Sequence, residues 1–317
     1  MSTTRLAAVA EGFGRDLETA YATIGRLLER ARAEGTGLLA LPEACLGGYL
    51  SDLGAAGQRG SADDRRRGGG PPALRLDGPE LERVRRMAGD VVVVLGVCED
   101  GGEDRYNTAV ALDGDGVLGV HRKVHQPLGE NLSYAAGDVF EAFDTPVGRI
   151  GLQICYDKAF PEAARAAALD GARIVVSISA WPGSRTAPAA DLARDRWKER
   201  FDLYDRARAL ENQVVWVASN QAGSFGSLRF VGSAKVVGPG GEVLAATGVD
   251  AGVAVADVDV DEALAGARRS MFALRDRRPD AYGALLRRGT PSGTPPGATP
   301  GSTPGTTPGA TREPSRA

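Results

Sequence analysis

Three side chains in this 317-residue chain are of the types that acyl transfer from an amide requires: Glu43, Lys123 and Cys155. A thiol can attack a carbonyl carbon, a carboxylate can take up its proton, and an ammonium can hold the oxyanion that results. Each stands just past an apolar run of strand character. Residues 38–41 end in Pro42-Glu43, residues 117–121 lead into Arg122-Lys123, and Ile150, Leu152 and Ile154 alternate up to Cys155. Phe160-Pro161-Glu162 then opens an alanine-rich helix, with proline preset for the first helical position. Unpaired N–H groups at such a start can bind an oxyanion and are expected to lower the pKa of a nearby thiol.

The elements that must carry these groups follow from periodicity. A strand over residues 5–13 precedes a helix that places Leu17, Ala20, Ile24, Leu27, Leu28 and Ala31 on one face and stops at Gly35. A second helix starts at Asp77-Gly78-Pro79, and residues 91–95 form a buried strand. Residues 107–112 and 117–121 pair across Asp113-Gly114-Asp115-Gly116, and residues 140–143 pair with the Cys155 strand. Further strands are expected at 174–178, 214–218, 231–237, 243–246 and 253–260. Between them, Trp197, Phe201, Tyr204, Ala207 and Leu210 form a stripe on one helix. Strands alternating with helices, interrupted by hairpins, predict an α/β fold of two packed sheets with helices outside. Residues 50–76 form a polar insert that could flank the site. From about Gly289 the chain is Gly, Pro, Thr, Ser, Ala and a few charges, which predicts a disordered tail.

Composition narrows the function classes. A net charge of −3 with pI near 5.6 gives no electrostatic reason to expect nucleic acid or an anionic membrane. Cys45, Cys98 and Cys155 form no CxxC pair, which favours reduced thiols in a cytoplasm. The first residues lack the pattern of a cleavable leader and no apolar run reaches about 18 residues, so a soluble, unexported chain is expected. Only four of the 38 lysines and arginines are lysines (Lys123, Lys158, Lys198, Lys235), which hints that a compact ammonium is needed at those positions.

Leu41-Pro42-Glu43, His121-Arg122-Lys123 and Ile154-Cys155-Tyr156-Asp157, in this order, resemble the carbon–nitrogen hydrolases of the nitrilase superfamily, over about residues 4–285. The resemblance implies a four-layer α-β-β-α sandwich, a hydrolase domain over residues 1–286 and a tail over 287–317. It also implies a catalytic set of Glu43 as base, Lys123 with the Tyr156 N–H as oxyanion ligands and Cys155 as nucleophile. Glu130 matches a second glutamate that positions the lysine or the substrate. The implied reaction cleaves a non-peptide C–N bond of a small amide or N-carbamoyl compound through a thioester, with no metal or organic cofactor. Nitrile-cleaving members typically carry Trp-Glu after the cysteine, and Tyr156-Asp157 departs from that pattern. Tyr49, Tyr134, Tyr156, Phe160, Trp181 and Arg185 are candidate substrate contacts, Arg185 as a partner for a substrate carboxylate.

Three rival readings stand beside this one. His121 or His125 could activate Cys155 as in a thiol protease, the same three groups could hydrolyse a nitrile, or the fold could be a silent metabolite binder. Apolar helix faces near Trp197 and Ala163 predict a homodimer or a higher homo-oligomer.

Overall fold

The computed structural model describes residues 3–51, 53, 70–269 and 271–283. The expected tail and the central part of the 50–76 insert therefore lie outside the described residues. Residues up to Asp276 form one compact unit. In the second, Pro279–Ala281 makes a short 3-10 turn and Arg278 pairs with Asp280.

Twelve strands build two sheets that meet at one corner. Sheet one runs β14 (Gly252–Val258), β1 (Thr4–Glu11), β2 (Leu38–Ala40), β3 (Val92–Asp100), β4 (Arg105–Leu112) and β5 (Val117–Arg122). Sheet two runs β6 (Ala142–Thr145), β7 (Gly148–Ile154), β8 (Ile174–Ser179), β9 (Val215–Gln221), β12 (Lys235–Val237) and β13 (Val243–Ala246). The corner is the short parallel pairing of Ala10 with Asn220 and Glu11 with Gln221. A small hairpin, β10 (Ser224–Phe225) with β11 (Leu228–Arg229), stands apart.

The period of two along each strand makes this a four-layer structure. Leu6, Ala8 and Ala10 of β1 and Val92 and Val94 of β3 pack against Ile150, Leu152 and Ile154 of β7 and Ile174, Val176 and Ile178 of β8, which fills the space between the sheets. Their neighbours Ala7, Val9, Val93 and Leu95 point the other way, onto α1 (Leu17–Ala33) and α2 (Pro79–Ala88). On sheet two, Val175, Trp216, Ala218 and Val237 pack outward among Ala164, Ala167 and Ala168 of α3 (Pro161–Leu169) and Ala209 of α4 (Arg196–Asn212). The central strands are apolar on both faces because both are covered, and each fully buried Val, Leu or Ile contributes about 1.5–3 kcal/mol. The alanines of α3 let it sit close: a Cβ on Gly151 would fall 2.9 Å from that of Ala167.

Local signals set the helix ends. Asp16 caps α1 by accepting from the Thr19 N–H at 2.7 Å, and Asp195 caps α4 through the Trp197 N–H at 2.8 Å. Proline opens α2 and α3, as expected.

Three expectations need correction. The strand foreseen over 231–237 is ordered as a ladder only over Lys235–Val237, because Gly232 and Ser233 adopt positive φ and bend the chain. The strand foreseen over 140–143 forms two residues later, at Ala142–Thr145. On α4 the buried face is Phe201, Asp205, Arg208, Ala209 and Asn212, whereas Leu210 and Leu203 are exposed. Trp197, Phe201 and Tyr204 of the expected stripe do pack on the core, but Leu210 does not, and Asp205 and Arg208 face inward because Lys158, Lys235 and the Lys158 carbonyl meet them there.

Gly96 of β3 packs directly on the backbone of Glu43 and Ala44, and any Cβ there would overlap the Ala44 nitrogen. Gly96→Ala is expected to cost about 3 kcal/mol through overpacking, measured by urea unfolding, and to lower activity more than stability alone explains, since it displaces Glu43.

Candidate active site

Four strand ends deliver the site. Glu43 follows β2, Lys123 follows β5, Cys155 follows β7, and Ala180 follows β8. Because β2 and β5 belong to sheet one while β7 and β8 belong to sheet two, packing the sheets face to face brings these ends together. Glu43, Lys123 and Glu130 are fully buried, and Cys155 is 4 % exposed.

The Lys123 ammonium sits 2.9 Å from Glu43 Oε1, 2.9 Å from Glu130 Oε1 and 2.8 Å from Glu130 Oε2. Around this bridge further donors converge on three of the four carboxylate oxygens, whereas Glu130 Oε2 has the Lys123 ion pair but no hydrogen bond. Asn107 Nδ2 donates to Glu43 Oε1 (2.7 Å) and Glu130 Oε1 (3.2 Å), and the Tyr49 hydroxyl donates to Glu130 Oε1 (2.7 Å). The Ala180 N–H donates to Glu43 Oε2 at 2.6 Å. Gln221 Nε2 donates to the Glu43 carbonyl at 2.9 Å, which fixes the backbone that carries the carboxylate.

Burial on its own would discharge Lys123, but Glu130 and Glu43 outweigh it and hold the ammonium well above the usual lysine range. Burial, reinforced by Lys123's second partner Glu43, lifts the Glu130 carboxyl above the usual range, against the pull of Lys123 itself. The Cys155 thiol is also raised well above its ordinary value, by burial first and Glu43 second, with Lys123 opposing. This corrects the expectation of a lowered thiol pKa. The helix whose start was to activate the thiol begins only at Pro161, and a 3-10 turn, Cys155–Ala159, intervenes.

Cys155 has φ 50°, a left-handed backbone that costs a non-glycine residue about 1–2 kcal/mol. Asp157 pins the turn. Its Oδ2 accepts from the Ile154 N–H (3.1 Å) and contacts His121 Nε2 (3.1 Å), while its Oδ1 accepts from the His125 N–H and contacts His125 Nδ1, both at 2.9 Å. Burial would raise this carboxyl, but the two histidines overcome it and hold it well below the usual range. Both imidazoles are thus committed to Asp157, and the thiol-protease arrangement has no histidine at Cys155.

The other residues singled out from sequence fall into two groups. Tyr49 and Tyr134 are buried in one apolar cluster with Ala44, Cys98, Ala180 and Phe230 beside the carboxylates. Tyr156 meets Phe160 edge-on at 5.1 Å, and Phe160 stacks on His125 at 3.6 Å. Trp181 follows Ala180 directly, with its N–H on Asn220 Oδ1 (2.7 Å) and its indole on the Trp197 carbonyl (3.0 Å). Arg185 reaches instead to the Leu53 carbonyl, at 2.5 Å. Asn107, Gln221 and Asp157 were not foreseen as site residues. For Asn107 a signal existed, since it begins the arm whose partner strand ends at Lys123; Gln221 carried none. Among the described residues, no group of three or more His, Cys, Asp or Glu side chains is arranged to hold a metal ion.

A buried carboxylate–ammonium pair beside a cysteine at a strand end defines the class, a thiol-dependent acyl hydrolase on an α-β-β-α frame. The carbon-nitrogen hydrolase family profile matches residues 5–267, and the chain belongs to that family. It is 32% identical over 288 residues to the N-carbamoylputrescine amidase of Arabidopsis thaliana, covering 86% of this chain and 91% of the relative. The crystal structure of a carbon-nitrogen hydrolase from Helicobacter pylori G27 superposes with a TM-score of 0.75 at 25% identity, over 90% of this chain and 99% of that one. An amidase mutant from Nesterenkonia sp. AN1, with acrylamide added to its active-site cysteine, superposes with a TM-score of 0.68 at 26% identity, over 89% of this chain and 100% of that one. This chain is therefore a C–N bond hydrolase that works through a cysteine-bound intermediate.

Asp157 gives a pH test. Its folded pKa lies below the unfolded value of 3.8, so its stabilisation is complete above that pH and is lost only as pH falls through the lower folded value. Asp157→Asn is expected to lose about 3 kcal/mol at neutral pH by urea unfolding, with a gap to wild type that does not begin to close until pH drops below 3.8.

Proposed function

We propose that the chain hydrolyses the carboxamide of a small amide, or the ureido group of a small N-carbamoyl compound, with Cys155 as nucleophile and Glu43 as general base. The observation that supports this best is the single Lys123 ammonium clamped between Glu43 and Glu130 next to the Cys155 turn. A neutral, buried thiol cannot rely on a standing thiolate, so its proton leaves as the sulfur attacks. Glu43, held in place by the Ala180 N–H at 2.6 Å from its Oε2, takes that proton.

The carbonyl π electrons move onto oxygen, where Lys123 and the Tyr156 N–H stabilise the anion. Collapse breaks the C–N bond, Glu43 returns the proton to nitrogen, and ammonia departs to leave on Cys155 a thioester from a carboxamide or a thiocarbamate from a ureido group. Glu43 then deprotonates water, which attacks the thioester or thiocarbamate carbonyl, and that proton passes to the departing sulfur. This releases the free thiol and the acid, in the second case a carbamic acid that breaks down to the amine and carbon dioxide. Glu130, with Asn107 and Tyr49, holds Lys123 in line throughout. Tyr134, Phe160, Trp181 and Arg185 remain the residues we assign to the substrate's distal part.

Tyr156-Asp157 after the cysteine and the likeness to an N-carbamoylputrescine amidase favour amide or carbamoyl substrates over nitriles. Three buried, unpaired thiols fit a reducing cytoplasm. Among the described residues, no helix is long and apolar enough to cross a membrane. We also propose self-association through the exposed Leu203 and Leu210 of α4; Ala163, by contrast, is covered within the chain.

Incubation with a panel of amides and N-carbamoyl compounds should release ammonia and show a transient acyl adduct on Cys155 by mass spectrometry; no adduct and no ammonia across the panel would sink the reading. Cys155→Ala should abolish turnover, and Lys123→Met should lower kcat by about a thousandfold or more, far beyond the loss in His125→Asn. Light scattering at micromolar concentration should give at least a dimer mass, and a monomer would remove that part.

A further inference from the structure

Lysine is so scarce in this chain that its placement is informative, and all four ammonium groups lie in two clusters, of which only the Lys198–Asp202 edge is partly exposed. Lys123 belongs to the carboxylate clamp. The other three converge on two aspartates of α4. Lys198 is 2.7 Å from Asp202 Oδ2, Lys235 is 3.0 Å from Asp202 Oδ1 and 2.8 Å from Asp205 Oδ2, and Lys158 is 2.5 Å from Asp205 Oδ1. Lys158 and Asp205 are wholly buried. Trp216 Nε1 adds a third donor to Asp205 at 2.9 Å, Ser233 donates to Asp202 at 2.7 Å, and the Phe201 ring lies under both the Lys158 and Lys235 ammoniums, at 3.8 and 4.2 Å.

This second cluster touches the first through the chain itself. Lys158 is the fourth residue of the Cys155–Ala159 turn, three positions beyond the nucleophile. The same stretch of α4 also grips the turn's backbone, since Arg208 donates to the Lys158 carbonyl at 2.8 Å and to the Ala159 carbonyl at 3.2 Å. Asp157 anchors the turn from the histidine side, and α4 anchors it from the opposite side. A residue held at φ 50° stays there only if its surroundings leave no alternative, and the Lys158–Asp205 pair is one of the anchors of that turn. The planar fork of arginine, used at most other cationic positions of this chain, cannot take the place of an ammonium seated on the Phe201 face with one carboxylate oxygen at 2.5 Å.

We propose that Lys158, tethered to Asp205, is a positioning residue that holds the Cys155 thiol toward Glu43 and Lys123. The proposal rests on Cys155 being the nucleophile, and its test does not need the substrate to be known. Lys158→Met keeps the stem and leaves Asp205 bonded to Lys235 and Trp216, so the fold has a balanced ion pair to retain. The variant is expected to lower kcat about tenfold or more, with KM within about threefold of wild type. It should also slow alkylation of Cys155 by iodoacetamide, followed by peptide mass spectrometry from about pH 6 to pH 10. Lys158→Gln, which keeps a donor for Asp205, should recover part of both losses, and it carries the alkylation test alone if the methionine variant does not fold. Alkylation profiles of folded variants that superimpose on wild type overturn the proposal, whatever the melting temperature does. Altered alkylation with no turnover of any amide by the wild-type chain supports the tether and overturns the amidase reading instead.

Discussion

One ammonium between two carboxylates, all three shut away from water, sets the terms for the rest of the molecule. Moving such charges out of solvent costs several kcal/mol each, and only close pairing with full hydrogen bonding offsets that cost. Lys123, Glu43 and Glu130 pair closely and take further hydrogen bonds from Asn107, Tyr49 and the Ala180 N–H, with only Glu130 Oε2 left to the ion pair alone. No single element could assemble them. Glu43 and Lys123 come from strand ends of one sheet, and Ala180 and Cys155 from strand ends of the other, so the cluster exists only when the two sheets pack. The apolar residues between the sheets, from Leu6 to Ile178, thus act on the chemistry by fixing the distance between two sets of strand ends.

The electrostatics also explain why the Cys155 thiol, the proposed nucleophile, rests uncharged. Burial and Glu43 together disfavour a thiolate more than Lys123 favours it, so in the proposed reaction reactivity depends on a base placed at the sulfur rather than on an acidic thiol. Placement then becomes the controlling quantity. A cysteine on a strained backbone, gripped by Asp157 on one side and by α4 on the other, is consistent with that demand.

Much of this was legible in the sequence. Alternation in residues 150–154 and the apolar run at 38–41 located the strands, and Asp113-Gly114-Asp115-Gly116 located the hairpin whose second arm delivers Lys123. The motifs around Glu43, Lys123 and Cys155 pointed to the carbon-nitrogen hydrolase family. Two kinds of feature stayed hidden. The inward face of α4 was misread because Asp205 and Arg208 look like solvent residues on a helix, and only their buried partners Lys158, Lys235 and the turn carbonyls make them interior. The direction of the thiol's pKa shift was hidden because it depends on the balance of burial, Glu43 and Lys123 in three dimensions, whereas sequence displayed only the nearby helix start.

The seclusion of every lysine has a practical side. Their side-chain exposures are 0, 0, 18 and 3 % for Lys123, Lys158, Lys198 and Lys235, while arginine supplies the cations on the surface. Reagents that couple to primary amines, such as succinimidyl esters or glutaraldehyde, meet no well-exposed lysine. Immobilising or dye-labelling this enzyme through lysine would therefore consume the interior amines as the fold opened, so carboxylate-directed coupling is the gentler route to an attached, working catalyst.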